Sequence, residues 1–251
     1  MGAGSVCRLG AGVLLAAFAS AQAAAPVADS AERADWPQVR AQIEAGADVN
    51  AAQADGASAL IWAAYHGHSE AAGWLLEAGA AVDAANDYGV TATSEAARVG
   101  DSAMLARLLA AGADPDARMP EGDTALMLAA RSGSVPSVRL LLDAGAAADA
   151  RDEWHGETAL MWAAGENHVD VVRLLAEHGA EIDAVSKAFT WDVKQTGVAS
   201  QLPGGGLTAL LHAAREDALE AAAALLELGA NPNATDPRGL SALRVAITNS
   251  N

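Results

Sequence analysis

Cysteine, lysine and phenylalanine are almost missing from this chain. Its 251 residues hold one cysteine, Cys7, two lysines, Lys187 and Lys194, and two phenylalanines. Cys7 precedes a short apolar stretch near the N-terminus, so it does not fit a lipid-attachment cysteine at a cleavage site. If that stretch is an export signal, the mature chain has no cysteine, forms no disulfide and carries out no thiol chemistry. Aromatic residues make up only 4%, although 52% of the chain is hydrophobic. The apolar content is therefore mostly Ala and Leu, which suits closely packed helices and not a sheet sandwich rich in β-branched and aromatic residues. Positive charge is scarce: 15 Lys and Arg stand against 32 Asp and Glu, a net charge of −17. A chain this acidic repels phosphate backbones, which excludes nucleic acid as a partner. Beyond the N-terminus no run of 18 apolar residues exists, so no membrane span is expected after signal cleavage.

What is present begins with an export signal. "MGAGSVCR" carries Arg8, "LGAGVLLAAFAS" is a short apolar core, and "AQA" at Ala21–Ala23 is a small-x-small cleavage site. Cleavage after Ala23, with Ala21 and Ala25 as alternatives, would send the mature chain to a bacterial periplasm or outside the cell.

The rest of the chain repeats. "EAGADVN", "EAGAAVD", "AAGADPD", "DAGAAAD", "EHGAEID" and "ELGANPN" place Gly46, Gly79, Gly112, Gly145, Gly179 and Gly229. The spacings are 33, 33, 33, 34 and 50. A second landmark keeps step: "SALIWAA", "TATSEAA", "TALMLAA", "TALMWAA", "TALLHAA" and "SALRVAI" begin at Ser58, Thr91, Thr124, Thr158, Thr208 and Ser241. Ser or Thr at each start is an N-cap that accepts an orphan backbone N–H. A small-residue helix follows, then a turn, then a helix with a Leu pair such as Leu75–Leu76 or Leu141–Leu142. Glycine ends that helix in a left-handed conformation, and an Asp/Asn-rich turn leads onward. Repeats of this period are the mark of a solenoid.

The pattern resembles the ankyrin repeat from about residue 30 to residue 251, and "TALMWAA" looks like exported bacterial members of that family. The resemblance implies an all-α solenoid of helix-turn-helix units joined by β-turn or hairpin fingers. Two departures stand out. The family's Thr-Pro-Leu-His helix start has Ala at the proline position, at Ala59, Ala92, Ala125, Ala159, Ala209 and Ala242. The histidine is replaced by Ile61, Ser94, Met127, Met161, Leu211 and Arg244. Since that histidine supports bonds between units, apolar packing is expected to substitute for it. The expected organisation is a signal at 1–23, an N-terminal capping repeat at 24–54, and four repeats at 55–184. An insertion at 185–207 and a fifth repeat with a truncated sixth at 208–251 complete the chain. In the capping repeat, "ADWPQVRAQIEAGADVN" matches a second helix with Asp35 as its N-cap.

The insertion adds 17 residues to the finger: Ala184 to Thr208 spans 24 steps where an ordinary unit takes 7. It is either a disordered ornament or a recognition loop carrying Phe189, Trp191, Lys187 and Lys194.

Catalytic signatures are lacking: there is no G-x-S-x-G, no H-E-x-x-H and no phosphate loop. His66 and His68 form H-x-H, but no third ligand is near in sequence, and His155, His178 and His212 do not cluster in the repeat pattern. No catalytic, cofactor or metal site is assigned. In the ankyrin family, finger tips and first-helix faces bind partners. The matching variable positions single out Tyr65, His66, Tyr88, Arg98, Arg131, Trp154, His155, Glu166 and Arg215, to which the insertion adds Phe189 and Trp191. Glu157 and Glu216 fall in the same set of positions. Trp62, Trp74 and Trp162 are assigned to helix packing. The expected function is a monomeric, non-enzymatic scaffold that binds a partner protein on its concave face and fingers. The alternatives are a metal-binding or hydrolytic periplasmic protein using His and carboxylates, and a secreted effector acting on host proteins.

Overall fold

A helix of seven to nine residues cannot persist alone in water, because its costly nucleus is shared by too few hydrogen bonds. Every helix among the described residues is that short, and each survives by stacking. The computed structural model describes residues 25–195 and 198–249. The expected signal segment, residues 1–23, lies outside the described residues. Among those described the helices come in pairs: α1 (Pro26–Glu32) and α2 (Trp36–Glu44), α3 (Ala59–Tyr65) and α4 (Ser69–Glu77), α5 (Ala92–Arg98) and α6 (Ser102–Ala110), α7 (Ala125–Ser132) and α8 (Val135–Asp143), α9 (Ala159–Gly165) and α10 (Val169–Glu177). A β-hairpin, β1 (Ala188–Gln195) and β2 (Val198–Gly205), precedes the last pair, α11 (Ala209–Arg215) and α12 (Leu219–Glu227), and a single helix, α13 (Ala242–Asn249). Each first helix packs on the first helix of the next unit, and each second helix on the next second helix. The result is a two-row, mostly helical solenoid.

The first-helix row is held apart by little more than methyl groups. Ala59, Ala63 and Ala64 are fully buried, as are Ala163, Ala164 and Ala213 in later units. Each of these helices starts on the expected cap: Ser58, Thr124, Thr158 and Thr208 accept the backbone N–H three residues on. In the second row Leu75, Leu108, Leu141, Leu175 and Leu225 have no exposed surface, and their neighbours Leu76, Leu109 and Leu142 pack against the same core. At the C-terminal end Leu219, Leu226, Leu243 and Ile247 are exposed.

Three local features go beyond the sequence reading. The first unit is a complete pair: α1 supplies a first helix whose Val27, Ala28 and Ala31 are buried, and α1 packs on α3. The turn between paired helices needs a left-handed residue. Gly67, Gly100 and Gly133 provide it, and Ala34, Asn167 and Asp217 take the same place with φ near +60°. An alanine there is strained, whereas Asn167 offsets the cost with its side chain. Its Oδ1 accepts the Ala221 N–H at 2.9 Å and its Nδ2 donates to Glu220 at 2.7 Å, across to the next unit.

The largest correction concerns what joins the units. Apolar packing does not act alone. The residue four after each helix-ending glycine reaches across and accepts a backbone N–H of the following unit. Asn50 takes the N–H of Ala81, Asp83 that of Asp114, Asp116 that of Ala147, Asp149 that of Glu181 and Asp183 that of Asn231. Part of the chain's acidity is thus a polar ladder along the turns. Backbone bonds between successive fingers add a second ladder: Asp87 N–H to Asp55 O, Glu153 N–H to Glu121 O, and Lys187 N–H to His155 O.

The insertion is a regular antiparallel hairpin, neither slack nor an irregular loop. Its register pairs Ala188 with Gly205 through to Gln195 with Val198. Its base is sewn to the solenoid: Ser186 N–H donates to Leu207 O, Leu207 N–H to Ser186 Oγ, and Gly206 N–H to Lys187 O. The Lys187 ammonium donates to the carbonyl of Glu153 in the preceding finger. Lys187 is therefore an anchor of the hairpin base and not a free recognition charge.

The turn ladder makes a discriminating prediction. Asp116→Ala should lower stability by about 1 kcal/mol, the net worth of one such hydrogen bond. Asp116→Asn should lose clearly less, since Asn50 fills the same role with a carboxamide. Urea unfolding of the three chains measures both; equal losses would remove the ladder from the account.

Candidate functional site

The fourth residue of each first helix changes from unit to unit: Asp29, Trp62, Glu95, Leu128, Trp162, His212 and Val245. Stacking brings successive members of this column together. Between α7, α9 and α11 two of them, Trp162 and His212, help to line an open cavity of about 350 Å³. Arg131 comes from the end of α7, Met161, Trp162 and Gly165 from α9, His212 and Arg215 from α11, and Glu157, Glu166 and Glu216 from the flanking turns.

The chemistry of this cavity is set by burial. The His212 side chain is only 5% exposed. Its Nδ1 lies 3.3 Å from Arg215 Nη2. A guanidinium only donates, so Nδ1 accepts and the proton of the neutral ring sits on Nε2. Burial first, then the electrostatic influence of Arg215 and His155, pulls the His212 pKa down to about 4. The Nε2–H has no hydrogen-bond partner among the described residues; Glu157 Oε1, 3.5 Å away, is outside good geometry. The indole Nε1–H of Trp162 is likewise buried and unpartnered. It weakly favours the charge on Glu157, whose carboxyl burial pushes above the ordinary range, yet makes no hydrogen bond to it. Around the rim, Arg131 Nε lies 3.6 Å from Glu166, and Arg215 Nε 2.8 Å from Glu216. These exposed pairs contribute little to stability. The Arg131 guanidinium also lies 5.6 Å from the Trp162 ring centre, a cation–π approach.

The singled-out residues fall into three groups. Arg131, Glu166 and Arg215 converge on this cavity. Trp154 and Tyr88, both 70% exposed, and Tyr65, 53% exposed, stand on fingers and a first-helix end. His155 is exposed beside Trp154 and meets the Phe189 ring edge at 6.3 Å. Two residues are occupied locally: Arg98 forks onto Glu95 at 2.7 and 3.0 Å, and the His66 ring bonds to the Glu32 carbonyl at 3.0 Å. Trp191 pairs through its backbone with Leu202; its side chain lies outside the described residues. Trp162 and His212 were not among the sequence candidates. Trp162 is more than packing, and His212 stands beside Glu157 and Arg215. The changing fourth helix position was the signal that could have found them. Among the described residues no three His, Cys, Asp or Glu side chains converge as a metal centre requires.

At the other end a second aromatic group forms. Trp36 stacks on His68 at 4.5 Å and meets His66 edge-on at 5.8 Å, while Trp62 meets Tyr65 at 5.6 Å. His68 also caps α4, its Nδ1 accepting the Ala71 N–H at 3.0 Å.

Comparisons with known proteins agree with the architecture. The family pattern described as "Ankyrin repeats (3 copies)" matches residues 30–119 and 93–186, and "Ankyrin repeats (many copies)" matches 160–222. A crystal structure of the human ASB11 ankyrin repeat domain is similar with a TM-score of 0.72 and 26% identity, covering 89% of this chain and 92% of that one. No curated protein matches the chain.

His212 predicts a pH dependence of definite sign. Its folded pKa of about 4 lies below its ordinary 6.5, so the unfolded chain binds the extra proton between those values. Stability contributed by the neutral buried ring is present above pH 6.5 and lost as pH falls towards 4. Between pH 7 and pH 5 the loss should be about 2 kcal/mol. Glu157 titrates with the opposite sign, and comparison with His212→Gln cancels it. Urea unfolding at both pH values should show the variant losing about 2 kcal/mol less than the wild type; equal losses would refute a buried neutral His212.

Proposed function

The chain belongs to the ankyrin-repeat family, and on that premise we propose that it is a monomeric, non-enzymatic scaffold that binds a partner protein through its first-helix face and fingers. The observation that carries this reading is the placement of the aromatic residues. A chain with two tyrosines exposes both, at Tyr65 and Tyr88, together with Trp154. All three sit on fingers or at the end of a first helix, and large aromatic side chains dominate interface energy. The rigid row behind them keeps the ordering cost of binding small. With a net charge of −17, the partner surface is basic or mixed in charge, which speeds encounter. The hairpin extends this surface next to His155, whose ring meets that of Phe189.

The expected experiment is affinity capture with cross-linking from the native source. Tyr65→Ala, Tyr88→Ala and Trp154→Ala combined should reduce capture at least about tenfold, since each hot-spot truncation costs on the order of 2 kcal/mol. A chain with residues 191–202 replaced by Asn-Gly, which closes a two-residue turn, should keep its helical content and capture less. Undiminished capture by both chains would place the binding surface elsewhere.

We also propose that residues 1–23 direct export to the periplasm or beyond. This rests on Arg8, the short apolar core and the small residues at Ala21 and Ala23. N-terminal sequencing of the mature protein should begin at Ala24. Soluble cytoplasmic protein retaining Met1 would contradict export.

A further inference from the structure

Trp62 and Trp162 occupy the same place in their units, the fourth position of α3 and of α9. Their indole N–H groups have different fates. Trp62 Nε1 donates to the side-chain oxygen of Gln53 at 2.7 Å. The Gln53 amide nitrogen then donates to Asp29 Oδ1 at 3.0 Å and Glu32 Oε2 at 2.8 Å. One carboxamide thus joins an indole donor to a pair of carboxylates. Trp162 has no such partner. The counterpart of Gln53 in its finger, by backbone pairing, is Asp152: Gln53 N–H bonds to Ala57 O and Asp152 N–H to Glu157 O. The Asp152 carboxylate is turned onto its own finger, where it accepts from the N–H groups of His155 at 2.6 Å and Glu157 at 2.7 Å. It is 4% exposed and makes no hydrogen bond to the indole.

The cavity therefore offers two buried donors, Trp162 Nε1–H and His212 Nε2–H, beside an inward carboxylate, Glu157. Leaving such donors unpaired is costly, and an incoming group can satisfy them. A carboxylate would satisfy both donors but would be repelled by Glu157, Glu166 and Glu216. An ammonium would pair with Glu157 but would leave both donors unsatisfied and would face Arg131 and Arg215. A carboxamide meets every requirement. Its oxygen can accept from the indole and its nitrogen donate to a carboxylate, as Gln53 does between Trp62 and the Asp29–Glu32 pair, and that oxygen has a second lone pair for His212. We propose that this cavity is a subsite for a side-chain carboxamide, that of a glutamine or asparagine carried by the partner protein. The assignment rests on the scaffold reading above for the source of that side chain, and on the cavity alone for its chemistry.

The test uses the full mature chain, labelled with nitrogen-15, and four blocked amino acids as probes: the N-acetyl N-methylamides of glutamine, glutamate, lysine and leucine. The indole N–H signal of Trp162 is assigned by its disappearance in Trp162→Phe. At pH 7 the glutamine probe should shift that signal saturably and leave the Trp62 indole unmoved, since Gln53 already occupies it. Glutamate, lysine and leucine should bind at least about fivefold more weakly, the scale of one hydrogen bond. Followed at the His212 ring, Trp162→Phe should weaken glutamine binding by a similar factor. Equal or stronger binding of the glutamate or lysine probe would overturn the proposal, and so would a Trp162 signal that no probe moves. If Trp162→Phe does not fold, the ranking of the four probes on the wild type decides. Loss of glutamine selectivity with aromatic-dependent partner capture intact overturns the subsite and leaves the scaffold standing. Selective glutamine binding without partner capture does the reverse.

Discussion

The structure depends on one constraint: no unit can bury its own apolar face, so each is stable only in register with the next. Two devices hold that register. Alanines at the first-helix contacts, such as Ala63, Ala97, Ala130 and Ala164, all without exposed surface, allow close approach. The side-chain oxygens of Asn50, Asp83, Asp116, Asp149 and Asp183 then take backbone N–H groups one unit on. The methyl contacts are non-directional and tolerate sliding; the turn bonds are directional and do not. Together they explain a chain poor in aromatics and rich in acid that still forms one long core from Ala25 to Ala230, with a small separate cluster at Leu207, Leu211, Ala214 and Val245.

That register also makes the candidate site. Trp162 and His212 are fifty residues apart in sequence, with the whole hairpin between them, yet stacking of α9 on α11 puts them in one cavity. The insertion can be this long because its base is closed locally. Ser186, Lys187, Gly206 and Leu207 exchange hydrogen bonds there, so the helices on either side keep their phase. A hairpin so anchored lengthens the finger without disturbing the core, consistent with the small cost of loop length.

Much of the fold was legible because its rules are local. Thr158 caps α9 and Asp35 caps α2, and Gly46, Gly79 and Gly112 take positive φ where the second helices end, all as short motifs require. The first helix of the first unit was missed because "PVADSAE" carries neither the Ser/Thr start nor the Ala-Leu pattern of the others. The turn ladder was missed because an aspartate in a turn looks alike whether it bonds its own backbone or its neighbour's. The hairpin was missed because strand pairing in a surface insertion depends on register, which weak alternation does not specify. The exposed aromatics were legible as variable positions. The cavity was not: a tryptophan and a histidine in helices look like core until it is known which donors lack a partner.

The central claim is that the rigid row of first helices and fingers forms the working face and that the second helices only support it. Amide hydrogen exchange on the chain, free and bound to its captured partner, tests this most directly. Binding should add protection at the fingers around Tyr88 and Trp154 and at the first-helix ends around Tyr65, Arg131 and Arg215, and should leave α4, α6, α8 and α10 at their unbound rates. Added protection concentrated on those second helices, with the fingers unchanged, would contradict the account.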